Sequence, residues 1–245
     1  MTPFIEAAIV ANEEIAKQLS HGIETKFYEK TTIGAGGDIS SQLDLFAESI
    51  FVKHLQMFGT IESEESGIIG FGKDQIILDP IDGSANALSG VPYYGTSIAK
   101  VNEHGLLDAA IVCNLVSKEI FIKEPKKPLM KGYLFEKAFK EVTVTQHSEV
   151  GLFEKSYAYP LVVNALHKEK LKFRAPGAIA LSLAYAHQVS YVLFIGEFRI
   201  YDFAAGLALC EGLEVIVEAD YVIVSKEKEV AHRIEQLILE TQEKI

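Results

Sequence analysis

Cysteine is scarce in this chain and tryptophan is missing altogether. The two thiols, Cys113 and Cys210, stand far apart in apolar surroundings with no CxxC spacing. That argues against a disulfide framework or a cysteine-based zinc site and reads as two buried, reduced thiols. Long hydrophobic runs are also lacking. The longest, Val189 to Ile195, is far too short to cross a bilayer as a helix and reads as a buried strand, so no membrane association is expected. No basic segment precedes an apolar run at the N-terminus, where Glu6, Glu13 and Glu14 lie in an amphipathic pattern. The expectation is a cytoplasmic protein without a secretory signal. Positive charge is in deficit too: 23 Lys and Arg against 34 Asp and Glu leave a net charge of -11. This disfavours nucleic acid as a partner, because its backbone is gripped mainly by lysine and arginine. A phosphate ligand would need a cation as intermediary.

What is present is the make-up of a folded protein: 245 residues, 49% hydrophobic and 23% charged, enough for one large domain or two intimate halves. Apolar spacing predicts helices from about Pro3 to Leu19 and from Asp38 to Met57. Gln75 to Leu78 reads as a strand leaving its sheet at Asp79-Pro80. Further strands are expected at Thr96 to Val101, Leu106 to Cys113 and Lys118 to Ile122, which makes the first half α+β. The charged, proline-bearing stretch Glu124 to Pro128 suggests a boundary, with an N-terminal half over 1–123 and a C-terminal half over 124–245. The second half alternates as α/β: a helix from Gly177 to His187, a strand to Ile195, a helix from Asp202 to Gly212, strands near Val215 and Val222, and a surface helix from Lys226 to about Glu240.

Chemistry concentrates in Asp79-Pro80-Ile81-Asp82-Gly83-Ser84-Ala85. Two carboxylates three residues apart at a strand end, with the Ile81 carbonyl, would make a partial oxygen cage for a hard divalent cation. Gly83 permits close backbone approach, and the free N–H groups of Gly83, Ser84 and Ala85 at the following helix start would hold a phosphate. Taken alone, the same string is equally a capped turn, with Asp82 and Ser84 serving only the helix. A second acidic cluster, Glu62 to Gly67, reads by itself as a solvated turn. His54, His147, His167 and His187 share no spacing and read as ordinary histidines.

The clusters gain meaning in combination. Glu64-Glu65-Ser66, Asp79-Pro80-Ile81-Asp82-Gly83-Ser84 and Tyr201-Asp202-Phe203-Ala204-Ala205-Gly206, in that order, resemble the motifs of the inositol monophosphatase family. Asp38 to Asp44 is similar to the family segment that ends in a catalytic aspartate, and Arg174 to Ala178 to the stretch before its penultimate helix. The resemblance implies a five-layered αβαβα sandwich and Mg²⁺-dependent hydrolysis of a small phosphate monoester. It implies two or three Mg²⁺ per site, one held by Glu64, Asp79 and the Ile81 carbonyl and a second by Asp79, Asp82 and Asp202. It also implies that the attacking water lies near Glu64 and Ser84, with Asp44 orienting the Ser84 hydroxyl, and that the chain forms a homodimer. Inositol monophosphate leads the implied substrates. Fructose 1,6-bisphosphate and 3'-phosphoadenosine 5'-phosphate compete on the same chemistry, and a regulatory binding module with incidental catalysis is the reading from another class.

Several positions depart from the family pattern. Tyr201 stands where the family often has tryptophan. Where family members that read inositol place an acidic residue, gap-free counting puts Ile195, with Glu197 two residues later as a substitute if the loop is shifted. Arg199 could meet a second phosphate or carboxylate, or simply pair with Glu197 at the surface. The segment from Lys123 to Val163 is compressed relative to the family.

Overall fold

The computed structural model describes residues 1–37 and 39–242. Asp38, at the head of the segment running to Asp44, lies outside the described residues. Helix α1 spans Pro3–Leu19, begins with proline in its first turn and is capped by the Thr2 hydroxyl, which accepts the Ile5 N–H. Helix α2 spans Gln42–Leu55, shorter than the periodicity suggests. Ser41 and Asp44 close a capping box at its start, and the three residues before it, Ile39–Ser41, form strand β2 against β1 (Lys30–Ile33).

The first of two large sheets holds β3 (Thr60–Ser63), β4 (Gly67–Ile69), β5 (Gln75–Asp82), β6 (Gly95–Val101), β7 (Leu107–Asn114), β8 (Glu119–Lys123), β9 (Met130–Tyr133) and β10 (Phe139–Glu141), in the order β10-β9-β8-β7-β6-β5-β3-β4. Its last two strands come from beyond residue 124. The stretch Glu124 to Pro128 therefore links neighbouring strands of one sheet, and the division at 123/124 cuts that sheet; the break between sheets falls after Glu141. The second sheet holds β11 (Val150–Glu154), β12 (Lys172–Arg174), β13 (Tyr191–Ile195), β14 (Glu214–Val217) and β15 (Tyr221–Ser225), in the order β12-β11-β13-β15-β14. The remaining helices are α3 (Ser84–Ser89), α4 (Pro160–Lys168), α5 (Ile179–Ala184), α6 (Ile200–Ala208) and α7 (Lys228–Gln242).

Strand alternation builds the layers. In β5, Ile76 and Leu78 join Ile5, Ile15, Leu43 and Phe51 of α1 and α2 in one core, while Ile77 between them faces Ala180, Leu181 and Ala205 of α5 and α6 in another. In β13, Val192 and Phe194 pack on the far side of that helix pair with Ile179, Leu183 and Phe203, whereas Tyr191, Leu193 and Ile195 face Leu166 of α4 and Ile234 of α7. Four cores separate five layers, helix–sheet–helix–sheet–helix, which is the αβαβα sandwich.

The middle layer has sheets on both sides, so α5 and α6 are short and built largely of small residues. A Cβ on Gly206 would lie 2.7 Å from Leu183 Cδ1, so the two helices touch at a separation that glycine sets. Both helices differ from the boundaries expected from sequence. The α5 helix begins only at Ile179, because Gly177 takes a positive φ of 87° and Ala178 is extended. The α6 helix begins two residues early, with Arg199 as its extended N-cap.

Candidate active site

A cavity of about 370 Å³ opens at the ends of β3 and β5, closed on the other side by the β11 exit and the starts of α5 and α6. Asp79 and Asp82, three apart, would point to opposite faces of a regular strand. Between them the pairing with β6 slips, Asp79 facing Ser97 but Asp82 facing Gly95, and this bulge lets both carboxylates line one cavity. Gly83 follows with a φ of 88°, and a Cβ there would lie 3.0 Å from the Ala178 Cβ and 3.2 Å from the carbonyl oxygens of Gly177 and Tyr93. Glycine is required twice over, by conformation and by space.

Strand β3 runs parallel to β5 with Ser63 beside Leu78, and the Glu64 N–H donates to the Leu78 carbonyl at 3.0 Å. That register delivers Glu64 next to Asp79. The turn beyond it is held from α2: the backbone N–H and hydroxyl of Ser66 donate to Glu48 at 3.0 and 2.5 Å. The loop before β2 lies directly over the turn, the Gly36 N–H meeting the Glu64 carbonyl at 2.7 Å, where a Cβ on Gly36 would come within 2.5 Å of Glu64 Cγ.

Asp202 arrives from the first turn of α6, where a negative charge also suits the helix dipole. Glu64, Asp79 and Asp202, all buried, each offer an oxygen within 4.8 Å of the others. Burial pushes the Asp79 carboxyl well above the usual carboxylate range, and the neighbouring Glu64, Asp82, Asp202 and Asp44 add to it. Asp82 is raised likewise, by burial first and then Asp202, against a 2.7 Å hydrogen bond from the Leu181 N–H. Glu65, also lining the cavity, is pushed to about 7, chiefly by burial, against a hydrogen bond from Ser40. A buried cluster of this kind is unfavourable for the protein alone and suited to a hard cation, whose charge reverses every one of these shifts. The donor set fits a divalent metal: carboxylate oxygens, with Ile81 in the same cavity wall.

Asp44 and Ser84 both line the cavity. Asp44 serves α2 as well, its Oδ2 accepting the backbone N–H and hydroxyl of Ser41 at 2.9 and 2.7 Å. Burial raises its carboxyl, opposed by hydrogen bonds from Ser41 and the Ser84 hydroxyl. Ser84 and Ala85 form the first turn of α3, with Gly83 as its left-handed N-cap.

The specificity residues fall differently from expectation. Glu197 is exposed and is not among the residues lining the cavity. Ile195 is buried on the opposite face of its sheet, against α4 and α7, so its position cannot read a substrate here. Arg199 does line the cavity and pairs with the acidic cluster: Nη1 donates to Glu64 Oε1 at 2.6 Å, and Nε donates to Asp202 Oδ2 at 2.9 Å.

Sequence reasoning missed Glu48, Glu154 and Lys155. Glu154, buried at the end of β11, accepts the Ser182 hydroxyl at 2.5 Å and the Gly177 N–H at 2.8 Å, fixing the far wall of the cavity. Lys155 adopts a left-handed backbone and sets its Nζ 5.2 Å over the Phe194 ring; both line the cavity with Tyr157, which is 84% exposed. Glu48 lies one turn beyond Asp44 on the buried face of α2, a spacing visible in the sequence. Glu154 had no comparable signal.

The profile of the inositol monophosphatase family matches residues 1–220. Among curated relatives, "Nus factor SuhB" of Vibrio cholerae is 28% identical over 240 residues, covering 89% of this chain and 85% of that protein. The "Bifunctional NADP phosphatase/NAD kinase" of Methanococcus maripaludis is 25% identical over 244 residues, covering 86% of this chain but 42% of its own length. Among solved structures, the extragenic suppressor protein suhB of Bartonella henselae superimposes with a TM-score of 0.77 at 22% identity, covering 96% of both chains; at that identity the likeness speaks for the fold.

Proposed function

Given that the chain belongs to the inositol monophosphatase family, we propose that it is a Mg²⁺-dependent phosphatase that hydrolyses a small phosphate monoester. The observation that carries this reading is the convergence of Glu64, Asp79 and Asp202 within 4.8 Å beside the Gly83–Ala85 turn. Glu64, Asp79 and the Ile81 carbonyl would hold one ion and Asp79, Asp82 and Asp202 a second, for two or three per site. Asp82 already commits Oδ2 to the Leu181 N–H, which leaves Oδ1 for this task.

When bound, such ions neutralise phosphate oxygens and make a water acidic enough to attack. The chain's own groups supply the rest. The backbone N–H groups of Gly83, Ser84 and Ala85 receive the phosphate. Asp44 holds the Ser84 hydroxyl, and Glu64 with Ser84 orients the attacking water. Asp82 ties this side of the cavity to α5, and Glu154 holds the Gly177 turn opposite.

Inositol monophosphate is the leading candidate substrate. Two features of the cavity widen the field: Lys155 offers a cation away from the acidic cluster, and Tyr157 offers an exposed ring at the wall. These suit an alcohol half bearing another anionic group or a flat base, so fructose 1,6-bisphosphate, 3'-phosphoadenosine 5'-phosphate and NADP belong in the same panel. The activity named for the Methanococcus maripaludis relative supports including the last. Comparing kcat/KM across that panel assigns the substrate. Asp79→Asn is expected to lower Mg²⁺-dependent phosphate release at least about 100-fold; turnover like that of the wild type would sink the metal assignment.

The proposal includes a cytoplasmic homodimer; among the described residues no helix is long and apolar enough to cross a membrane. A second reading, a regulatory binding module with incidental catalysis, draws on the name Nus factor borne by relatives and on the hold of Arg199 on two proposed ligands. Recovery of a stoichiometric partner, together with negligible turnover on every monoester, would favour the module.

A further inference from the structure

Arg199 bridges two members of the carboxylate cluster that come from different halves of the chain. Its Nη1 lies 2.6 Å from Glu64 Oε1 at the end of β3, and its Nε and Nη2 lie 2.9 and 3.3 Å from the two oxygens of Asp202 on its own helix. The guanidinium fork thus spans Asp202 while its outer nitrogen reaches across 135 positions of sequence. This is not a loose surface pair: the Glu64 and Asp202 side chains are 11% and 6% exposed and that of Arg199 28%. Among the described residues that line the cavity, the other cationic side chain is Lys155, which lies over the Phe194 ring, so Arg199 is the one that meets the cluster.

Arginine stays charged at any working pH, and it takes carboxylate oxygens by direction as well as by charge. The oxygens it grips belong to the residues proposed to hold divalent metal. A guanidinium within hydrogen-bond distance of both carboxylates repels a second cation placed among them, and at such separations in a partly buried site the repulsion is substantial. We infer that Arg199 is the built-in counter-cation of the cluster, a positioning residue that keeps Glu64 and Asp202 together and competes with metal for them, so that it sets how tightly the site loads. The inference rests on the metal reading proposed above. It carries a structural corollary: Arg199 would have to release Glu64 for the site to load, and the link it makes between β3 and α6 would then depend on the residues that hold the ion.

The test is calorimetric titration of Mg²⁺ into the full-length, EDTA-treated protein as wild type, Arg199→Gln and Arg199→Lys, with melting temperatures measured with and without metal. R199Q is expected to bind Mg²⁺ about tenfold more tightly than the wild type, to melt lower in EDTA, and to gain more on adding metal. R199K keeps the charge but loses the fork, and its affinity is expected to fall between the two. It also serves should R199Q fold poorly without metal. Equal or weaker binding by R199Q, or by R199K where only that variant folds, overturns the role of Arg199 and leaves the metal site standing. No binding by any of the three at about 10 mM Mg²⁺ overturns the metal reading and this inference together.

Discussion

Asp82 Oδ2 accepts the backbone N–H of Leu181 at 2.7 Å, joining the end of β5 to the first turn of α5 across 99 positions of sequence. Ala178, the N-cap of α5, has no side chain able to cap, and Asp82 does the work from another layer. Replacing Asp82 with Ala should therefore remove a helix cap as well as a proposed ligand, costing about 1–2 kcal/mol of stability. Asn keeps an acceptor oxygen, so Asp82→Asn should hold near wild-type stability in EDTA yet lose the metal response. Parallel urea titrations and phosphate-release assays separate the two effects.

Metal and pH should act against each other through Asp79 and Asp82. Both carboxyls are raised in the fold, so the native protein holds protons that the unfolded chain has released. Without metal, stability should fall as pH rises from the ordinary carboxylate range through the raised native values. A divalent ion would replace those protons, so the gain in melting temperature on adding Mg²⁺ should grow as pH rises from the ordinary carboxylate range through the raised native values. An increment that does not change with pH would contradict the assignment.

Gly83 and Gly90 make a controlled pair, since both have positive φ at the two ends of α3. A Cβ at Gly83 meets three atoms at 3.0 to 3.2 Å, whereas nothing lies within 4 Å at Gly90. Gly90→Ala should cost about 1 kcal/mol from conformation alone and keep activity. Gly83→Ala should cost about 1–3 kcal/mol and abolish turnover, because the phosphate turn must move away from Ala178. Equal activity in the two variants would show that the turn does not need its present position.

A second pH effect lies far from the cavity. The buried His187 ring donates from Nε2 to the Leu209 carbonyl at 3.0 Å, and Nδ1 has no hydrogen-bond partner among the described residues. Burial lowers its pKa below 6.5, against that hydrogen bond. The unfolded ring takes up a proton first, so stability should be lost as pH falls from about 6.5 towards the depressed native value. His187→Gln, which can still donate to Leu209, should flatten the melting-temperature profile below about pH 7.

Much of this arrangement was legible in the residues. The N-terminal helix, the strand through Gln75 to Leu78 and the order of acidic motifs depend on local spacing and turn chemistry, which a sequence displays; the strand does not leave its sheet at Asp79-Pro80 but runs on to Asp82 through a bulge. The start of α2 was not legible by periodicity, because the capping box at Ser41 starts the helix after Ile39, the one apolar residue at the head of that segment. The partners of Arg199 were hidden for a different reason: Glu64 is 135 positions away, and only the packing of α6 against the first sheet brings the two together. Glu154 belongs to the compressed segment, where no motif marks a carboxylate whose work is to hold Gly177 and Ser182. The stretch Glu124 to Pro128 joins neighbouring strands of one sheet, a place where a charged, proline-bearing loop fits as well as it does between halves.

The middle layer of small residues has a consequence for the acidic cluster. Glu64 and Asp79 are fixed to the first sheet, and Asp202 rides on α6, so the thickness of the layer holding Ala180, Ala205 and Gly206 works as a shim that gauges the distance between them. A methyl group added to this shim displaces a whole helix and leaves every ligand chemically intact. The tolerance of the proposed site is thus set by residues that carry no charge.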